Sequence, residues 1–250
     1  MRLLLAIILS SCLTLVQSGY AKAIVGPADP DFGAWAPITL QVPIYRRLSG
    51  YFEAQPRWQR LPQWHFAEMI TRSGLSYDLN SKWSVAGGYY FSPHFYPKLN
   101  MENRIWEQLS FSHQVGHWKF QNRTRLEEIW QKSYEGASFR LRDQLKVSYQ
   151  LGKSPWYMVA AEEPFFNIDS NDSGPERGFN QNRLFLGIGR QLGETTRIEC
   201  GYLNQYKNGQ DGKHDLINHV LIAQVAIDLR KLKLPQSWKL ASKTPNAVSQ

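Results

Sequence analysis

Two stretches of the chain carry arginine and glutamate at every second position: Arg123-x-Arg125-x-Glu127 and Arg140-x-Arg142. On an extended chain, side chains two residues apart share a face, so each stretch is a ladder of charged groups pointing one way. Left partly unpaired, such a ladder lines a pore that favours anions. Met by enough acids, it fills an interior with ion pairs and conducts nothing. Arg72, Arg104, Arg183 and Arg197 extend the set, with Glu53, Glu68 and Glu199 as further acids. Glu127 is the only acid on that face of the two central stretches. Balance there needs acids from elsewhere, such as Glu53, Glu68 or Glu199, or the patch keeps a positive potential. The incompletely paired reading makes Arg140 and Arg142 the carriers of an anion preference.

Other chemistries have weaker support in the residues. A hydrolase acting on lipid needs a Ser activated by a His and a third group orienting the ring. Ser112-His113 and His117 are the nearest candidates, but adjacent strand residues point to opposite faces. His94, His214 and His219 are scattered without metal-ligand spacing, and no cofactor motif occurs. Asp169, Asp172 and Glu176 share an acidic loop that could gather divalent cations, although a solvated loop is the simpler reading.

The elements that must position the ladders are long strands. From Ala137 to Leu151, Phe139, Leu141, Leu145, Val147, Tyr149 and Leu151 fall on one face and Arg140, Arg142, Gln144, Lys146 and Ser148 on the other, broken only by Asp143. Similar alternation runs through 117–130, 179–191 and 196–207, and less cleanly through 49–58, 64–79 and 82–92. With 36–44, 103–113, 156–167 and 216–229, the count is eleven. Runs of this length exceed the usual five or six residues of a soluble sandwich strand and suit a tilted membrane strand. Short joints near 45–48, 79–82, 114–116, 152–155 and 192–195 alternate with longer polar ones at 92–101, 131–136, 168–177 and 208–215. That is the pattern of an antiparallel up-and-down transmembrane β-barrel with short turns at one end and long loops at the other. Single-chain bacterial barrels have even strand numbers, which predicts about 12 strands, the first an irregular one upstream of 36. Pro27, Pro30 and Gly26 argue against regular pairing there.

Composition agrees. Charged residues are 20% and the mean hydropathy is -0.44, yet the chain holds nine Trp, twelve Tyr and twelve Phe. A membrane barrel needs that mixture, apolar with aromatic girdles outside and polar within. Trp35, Trp58, Trp64, Trp83, Trp118, Trp130 and Trp156 lie near predicted strand ends, where interfacial rings prefer to sit. Periodicity alone leaves open which face is inside, so a soluble periplasmic barrel with an apolar interior remains an alternative. The net charge of +8 comes without a Lys/Arg block of the kind that binds nucleic acid.

The first residues read as an export signal: Met1-Arg2, an apolar run from Leu3 to Val16, and Ala21-Lys22-Ala23 for cleavage. Removing 1–23 takes away Arg2 and Lys22 and leaves a net charge of +6. Leu9-Ser10-Ser11-Cys12 could instead be a lipoprotein signal, with an unusually short apolar run before it. With Cys12 gone, Cys200 stands alone and no internal disulfide forms. Residues 24–229 then read as one barrel domain and 230–250 as a basic tail.

The stretch from Trp35 to Leu229 resembles the DUF2490 family of outer-membrane barrels. The resemblance is carried by Tyr51-x-Glu53-x-Gln55-x-Arg57, Arg72-x3-Ser76-Tyr77, Glu102-Asn103-Arg104-Ile105-Trp106-x-Gln108, Arg123-x-Arg125-x-Glu127, Arg140-x-Arg142, Glu163-x-Phe165-Phe166-Asn167 and Asn180-Gln181-Asn182-Arg183. It implies the barrel and its location, and no reaction. The partners expected are outer-membrane lipid, lipopolysaccharide and the barrel-assembly machinery. The chain departs from the usual pattern in not ending on an aromatic strand residue, since the basic tail follows.

Overall fold

The computed structural model describes residues 29–96, 98–131, 136–170, 175–209 and 215–232. The signal segment with Cys12, residues 24–28, Asp172, His214 and the tail beyond 232 lie outside them. The alternating segments form twelve strands: β1 (Asp29–Trp35), β2 (Ile38–Tyr45), β3 (Leu48–Gln59), β4 (His65–Asp78), β5 (Trp83–His94) and β6 (Asn100–Val115), then β7 (Trp118–Gln131), β8 (Ser138–Gln150), β9 (Trp156–Asn167), β10 (Gly178–Leu192), β11 (Thr196–Lys207) and β12 (Leu216–Asp228). From β2 to β12 each pairs antiparallel with the next. Among the described residues no helix is long and apolar enough to cross a membrane, which says nothing of crossing by strands.

The seam closes the barrel in a way the even-number rule does not anticipate. β1 and β2 share one position, between β12 and β3. Gly33 lies opposite Val220 and Gln59, and Ile38 opposite Val225 and Ala54, with no register shift between them. Pro37 has no N–H for the ladder, which divides the strand there. Its carbonyl still accepts from the Val225 N–H at 2.9 Å, and the Ala36 N–H donates to the Pro56 carbonyl at 3.1 Å. Twelve segments therefore make a wall of eleven positions, and β12 runs parallel to the first strand. A chain that goes up and down an odd number of times finishes in the direction it started, so the parallel seam follows from connectivity. The strand expected upstream of 36 exists from Asp29, Pro30 included, but it lengthens the first strand instead of adding a twelfth position.

Sidedness is clear from exposure. Leu184, Leu186 and Ile188 on β10 and Leu221 on β12 face outward, Leu221 at 69% exposure. Gln181 and Phe185, on the opposite face of β10, are buried. The interior is thus the polar side, and an interior made wholly of apolar side chains is excluded. Asp143, the one break in the β8 alternation, sits on the apolar outer face. Its carboxylate accepts from Thr124 Oγ1 at 2.7 Å and Asn122 Nδ2 at 3.2 Å, so neighbours on β7 satisfy it.

Rings gather at both rims. Trp83 packs with Phe111 and Trp118 with Tyr149 at the short-turn end, while Trp58 packs with Phe66 and Phe66 with Phe95 at the other. Trp35 does not belong to either rim. It is 7% exposed and lies inside the barrel, because the continuous first strand carries it inward. At the short-turn end the 3-10 turn Leu229–Lys231 follows β12, and Arg230 is clamped by Asp228 at 2.8 Å and Asp78 at 3.3 Å. The start of the basic tail is thereby tied to the end of β4.

Candidate functional site

Eleven strands enclose more space than the eight whose side chains just fill a barrel, and less than a wide porin. Long side chains occupy most of it. On β6 and β7 the inward positions place Trp106 opposite Glu127 and Gln108 opposite Arg125; between β7 and β8, Glu127 faces Arg140 and Arg125 faces Arg142. Two arginines directly opposite would repel, and each turns elsewhere. Arg125 donates to Gln108 Oε1 at 2.6 and 3.0 Å and lies over the Trp106 ring at 4.8 Å. Arg142 reaches Glu127 Oε1 and Glu163 Oε1, both at 2.7 Å.

Glu127 is the hub. Arg104 lies at 2.9 Å, Arg140 and Arg142 at 2.7 Å and Arg125 at 3.9 Å, and Glu127 itself is 1% exposed. Glu163 on β9 takes Arg123 and Arg142, each at 2.7 Å. Glu53 holds Arg72 at 2.6 Å and also receives Tyr51 Oη; Glu68 holds Arg57 at 2.9 Å and Ser92 Oγ at 2.7 Å; Glu102 pairs with Arg104. Lys146 on β8 crosses to Glu199 on β11 at 2.6 Å, where Tyr157 Oη and Gln224 also donate. Arg104 and Arg72 lie over the Tyr90 ring, and Arg142 and Arg140 over Phe165. Ring faces and carboxylates together offset much of the cost of burying these cations, although Arg72 Nε and Arg104 Nε are buried without a hydrogen-bond partner.

The acids that balance the two central ladders are not those expected. Glu53, Glu68 and Glu199 are committed to Arg72, Arg57 and Lys146, and the second acid for Arg123 and Arg142 is Glu163. Glu163, Glu102, Arg57 and Trp106 belong to the network without having been marked as lining in the sequence. Parity alone could have found Glu102 and Trp106, since both share a face with Arg104. Gly74 makes room for Trp106: a Cβ there would come 2.8 Å from the ring and 2.3 Å from the Gly87 carbonyl oxygen.

A cavity of about 410 Å³ runs beside this network. Arg72, Arg104, Arg123, Arg140, Arg142, Arg183, Arg197 and Glu199 line it, with Arg57, Lys146, Lys207, Glu53, Glu68 and Glu163, while Arg125 and Glu127 lie buried in the wall behind. The lining thus holds ten Arg and Lys side chains against four carboxylates. Arg140 and Arg142 are both bound to Glu127. Arg183, Arg197 and Lys207 pair with no carboxylate among the described residues, so the uncompensated charge sits with them. The rest of the wall holds a buried apolar cluster of Trp35, Tyr157, Val159, Ala161, Phe185, Leu203, Val220 and Ile222, with Gln181, Gln205 and Gln224 beside it. Arg57 stacks on Trp35 at 3.8 Å and joins the two halves.

The other candidates fall apart in space. Ser112 shares the inward parity of Arg104, whereas His113 lies on the outer face beside Phe111. Cys200 is free and exposed on the outer face. Asp169 accepts from the Phe139 N–H at 2.7 Å and so ties a loop to β8. No three metal-binding side chains come together among the described residues.

Comparison with known proteins places this barrel. A family model described as a protein of unknown function (DUF2490) matches residues 32–215. The chain belongs to the DUF2490 family. An uncharacterized protein of Methylorubrum extorquens is similar to it, 29% identical over 223 residues, covering 86% of this chain and 94% of the relative. No solved structure matches. The matched range runs from within β1 to the residue before β12, so nearly every part of the DUF2490 lumen described above lies inside it.

Proposed function

We propose that this DUF2490 barrel resides in a bacterial outer membrane, delivered by a signal peptide ending at Ala23, and that its lumen admits small anions. The observation that carries the lumen reading is the set of three cations on the cavity wall, Arg183, Arg197 and Lys207, that pair with no carboxylate among the described residues, since uncompensated charge in a low-dielectric wall concentrates ions of the other sign. The location is supported by the exposed apolar outer face, bounded at both rims by aromatic pairs, as lipid and its interfaces require. Lipid, lipopolysaccharide and the assembly machinery are then its partners, and the barrel carries no reaction of its own.

The test is reconstitution of the mature chain in planar bilayers under a salt gradient. The expected reversal potential has the sign of anion preference, and joint replacement of Arg183 and Arg197 by Gln reduces it. Arg140 and Arg142 are poor targets because both support the Glu127 cluster. A cation preference overturns the lumen reading, and recovery of the native protein in the soluble periplasmic fraction overturns the location. Absence of conductance steps points to the second reading, a closed structural barrel, which the density of pairs around Glu127 favours.

A further inference from the structure

The ion-pair network does not account for the apolar half of the inner wall. Phe185, Leu203 and Ile222 face the same cavity as Arg142 and Arg183, yet a hydrated inorganic anion gains nothing from them. The Phe185 ring sits over the Gly187–Gly201 pair, where a Cβ would come 2.7 Å from it at Gly187 and 2.8 Å at Gly201. The ring thus occupies the space that a side chain at Gly187 or Gly201 would need. Toward the longer loops the chemistry changes at once. Arg183 lies opposite Gln205 and Gln181 opposite Lys207, which makes Arg183 and Lys207 diagonal neighbours on one inward face. The Arg183 guanidinium stands 5.0 Å from the Trp35 ring centre and 4.8 Å from that of Phe165. The Gln205 side-chain oxygen, in its better orientation, accepts from Nε and Nη2 at 3.3 and 3.2 Å. Two cations without a described carboxylate partner therefore sit at one end of an apolar strip.

We propose that the lumen binds a single-chain amphiphilic anion, its carboxylate or phosphate head on Arg183 and Lys207 and its chain along Phe185, Leu203 and Ile222. The proposal rests on the anion-attracting lumen and deepens it by naming the ligand class. A cavity of about 410 Å³ falls in the range of small-molecule sites. The head would supply the anionic partner that Arg183 and Lys207 lack, and the chain would lie in the cavity against the edges of the buried apolar cluster that border it.

Calorimetric titration of the mature chain in lipid nanodiscs tests it, with octyl phosphate, octanoate, octanol and inorganic phosphate as probes. Octyl phosphate and octanoate are expected to bind saturably and about tenfold or more tighter than inorganic phosphate, with octanol showing no saturable binding. Whichever of the first two binds tighter identifies the head group. Arg183→Gln should weaken both by about tenfold, and Leu203→Asn should weaken both while leaving inorganic phosphate unchanged. Arg183→Lys, which keeps the charge, should retain most of the affinity and serves if Arg183→Gln fails to fold. Inorganic phosphate binding as tightly as octyl phosphate overturns the proposal and leaves the anion-attracting lumen standing. Octanol binding as tightly as octyl phosphate, or affinities unmoved by both substitutions, overturns it as well. No binding of any probe, together with no anion preference in bilayers, removes both readings.

Discussion

The wall from β3 to β8 and the wall from β9 through β12 to β1 fill the same barrel by opposite means. The first packs guanidinium groups between carboxylates and aromatic rings, with Glu127 holding four arginines. The second packs Val159, Phe185, Leu203, Val220 and Ile222 as a soluble core would. The charged wall depends on a few central carboxylates, because removing one strands several buried cations at once. The apolar wall spreads its stabilisation over many contacts, each worth little. Failure should therefore be abrupt on one side and graded on the other.

The largest effect expected is that of Glu127→Gln. It leaves Arg104, Arg140 and Arg142 without their shared acid and should lower stability by about 3–5 kcal/mol, read from urea unfolding of the vesicle-inserted barrel. A loss below about 1 kcal/mol would show that the lumen is wet enough to solvate those cations. On the other wall, Leu203→Ala should cost about 2 kcal/mol, at the low end for a buried leucine, because the side chain borders a cavity that already exists. A larger loss than that of Glu127→Gln would invert the comparison. Leu186→Arg, on the outer face, should cost about 2–4 kcal/mol if that position lies near the bilayer midplane and close to nothing in detergent-free water, so comparing the two media separates a lipid-facing surface from a merely exposed one. Arg123→Gln should cost less than about 1 kcal/mol: Arg123 is partly exposed, and Glu163 keeps Arg142 at 2.7 Å. The smallest change is expected of Asp143→Leu, within about 0.5 kcal/mol, since the hydrogen bonds lost from Asn122 and Thr124 are offset by apolar cover.

The two walls also differ in how readily they could be read. On β7 and β8 nearly every second residue is polar and the intervening ones are mostly apolar, so strand length and the shared face of the ladder are visible in the sequence. Through the middle of β9 both faces are apolar: Val159 and Ala161 point in while Met158 and Ala160 point out. Period two carries no information when the two sets have the same chemistry, and the inward role of Glu163 was lost with it. Trp35 lies inside for a related reason: a position near a strand end says nothing about which face it occupies.

The sequence by itself determined the all-β class, the long strands, the alternation of short and longer connections, and the sharing of one strand face by the arginines from Arg72 to Arg197. Each follows from local patterns of a few residues, where side-chain direction is fixed by backbone geometry. Tertiary structure alone decided the parallel seam, the merging of β1 with β2, and which acid meets which cation. Glu163 reaches back to Arg123 across β8, and Glu199 to Lys146 across two strands. Those pairings depend on strand tilt and on the closure of the sheet, which bring together residues that no local pattern connects.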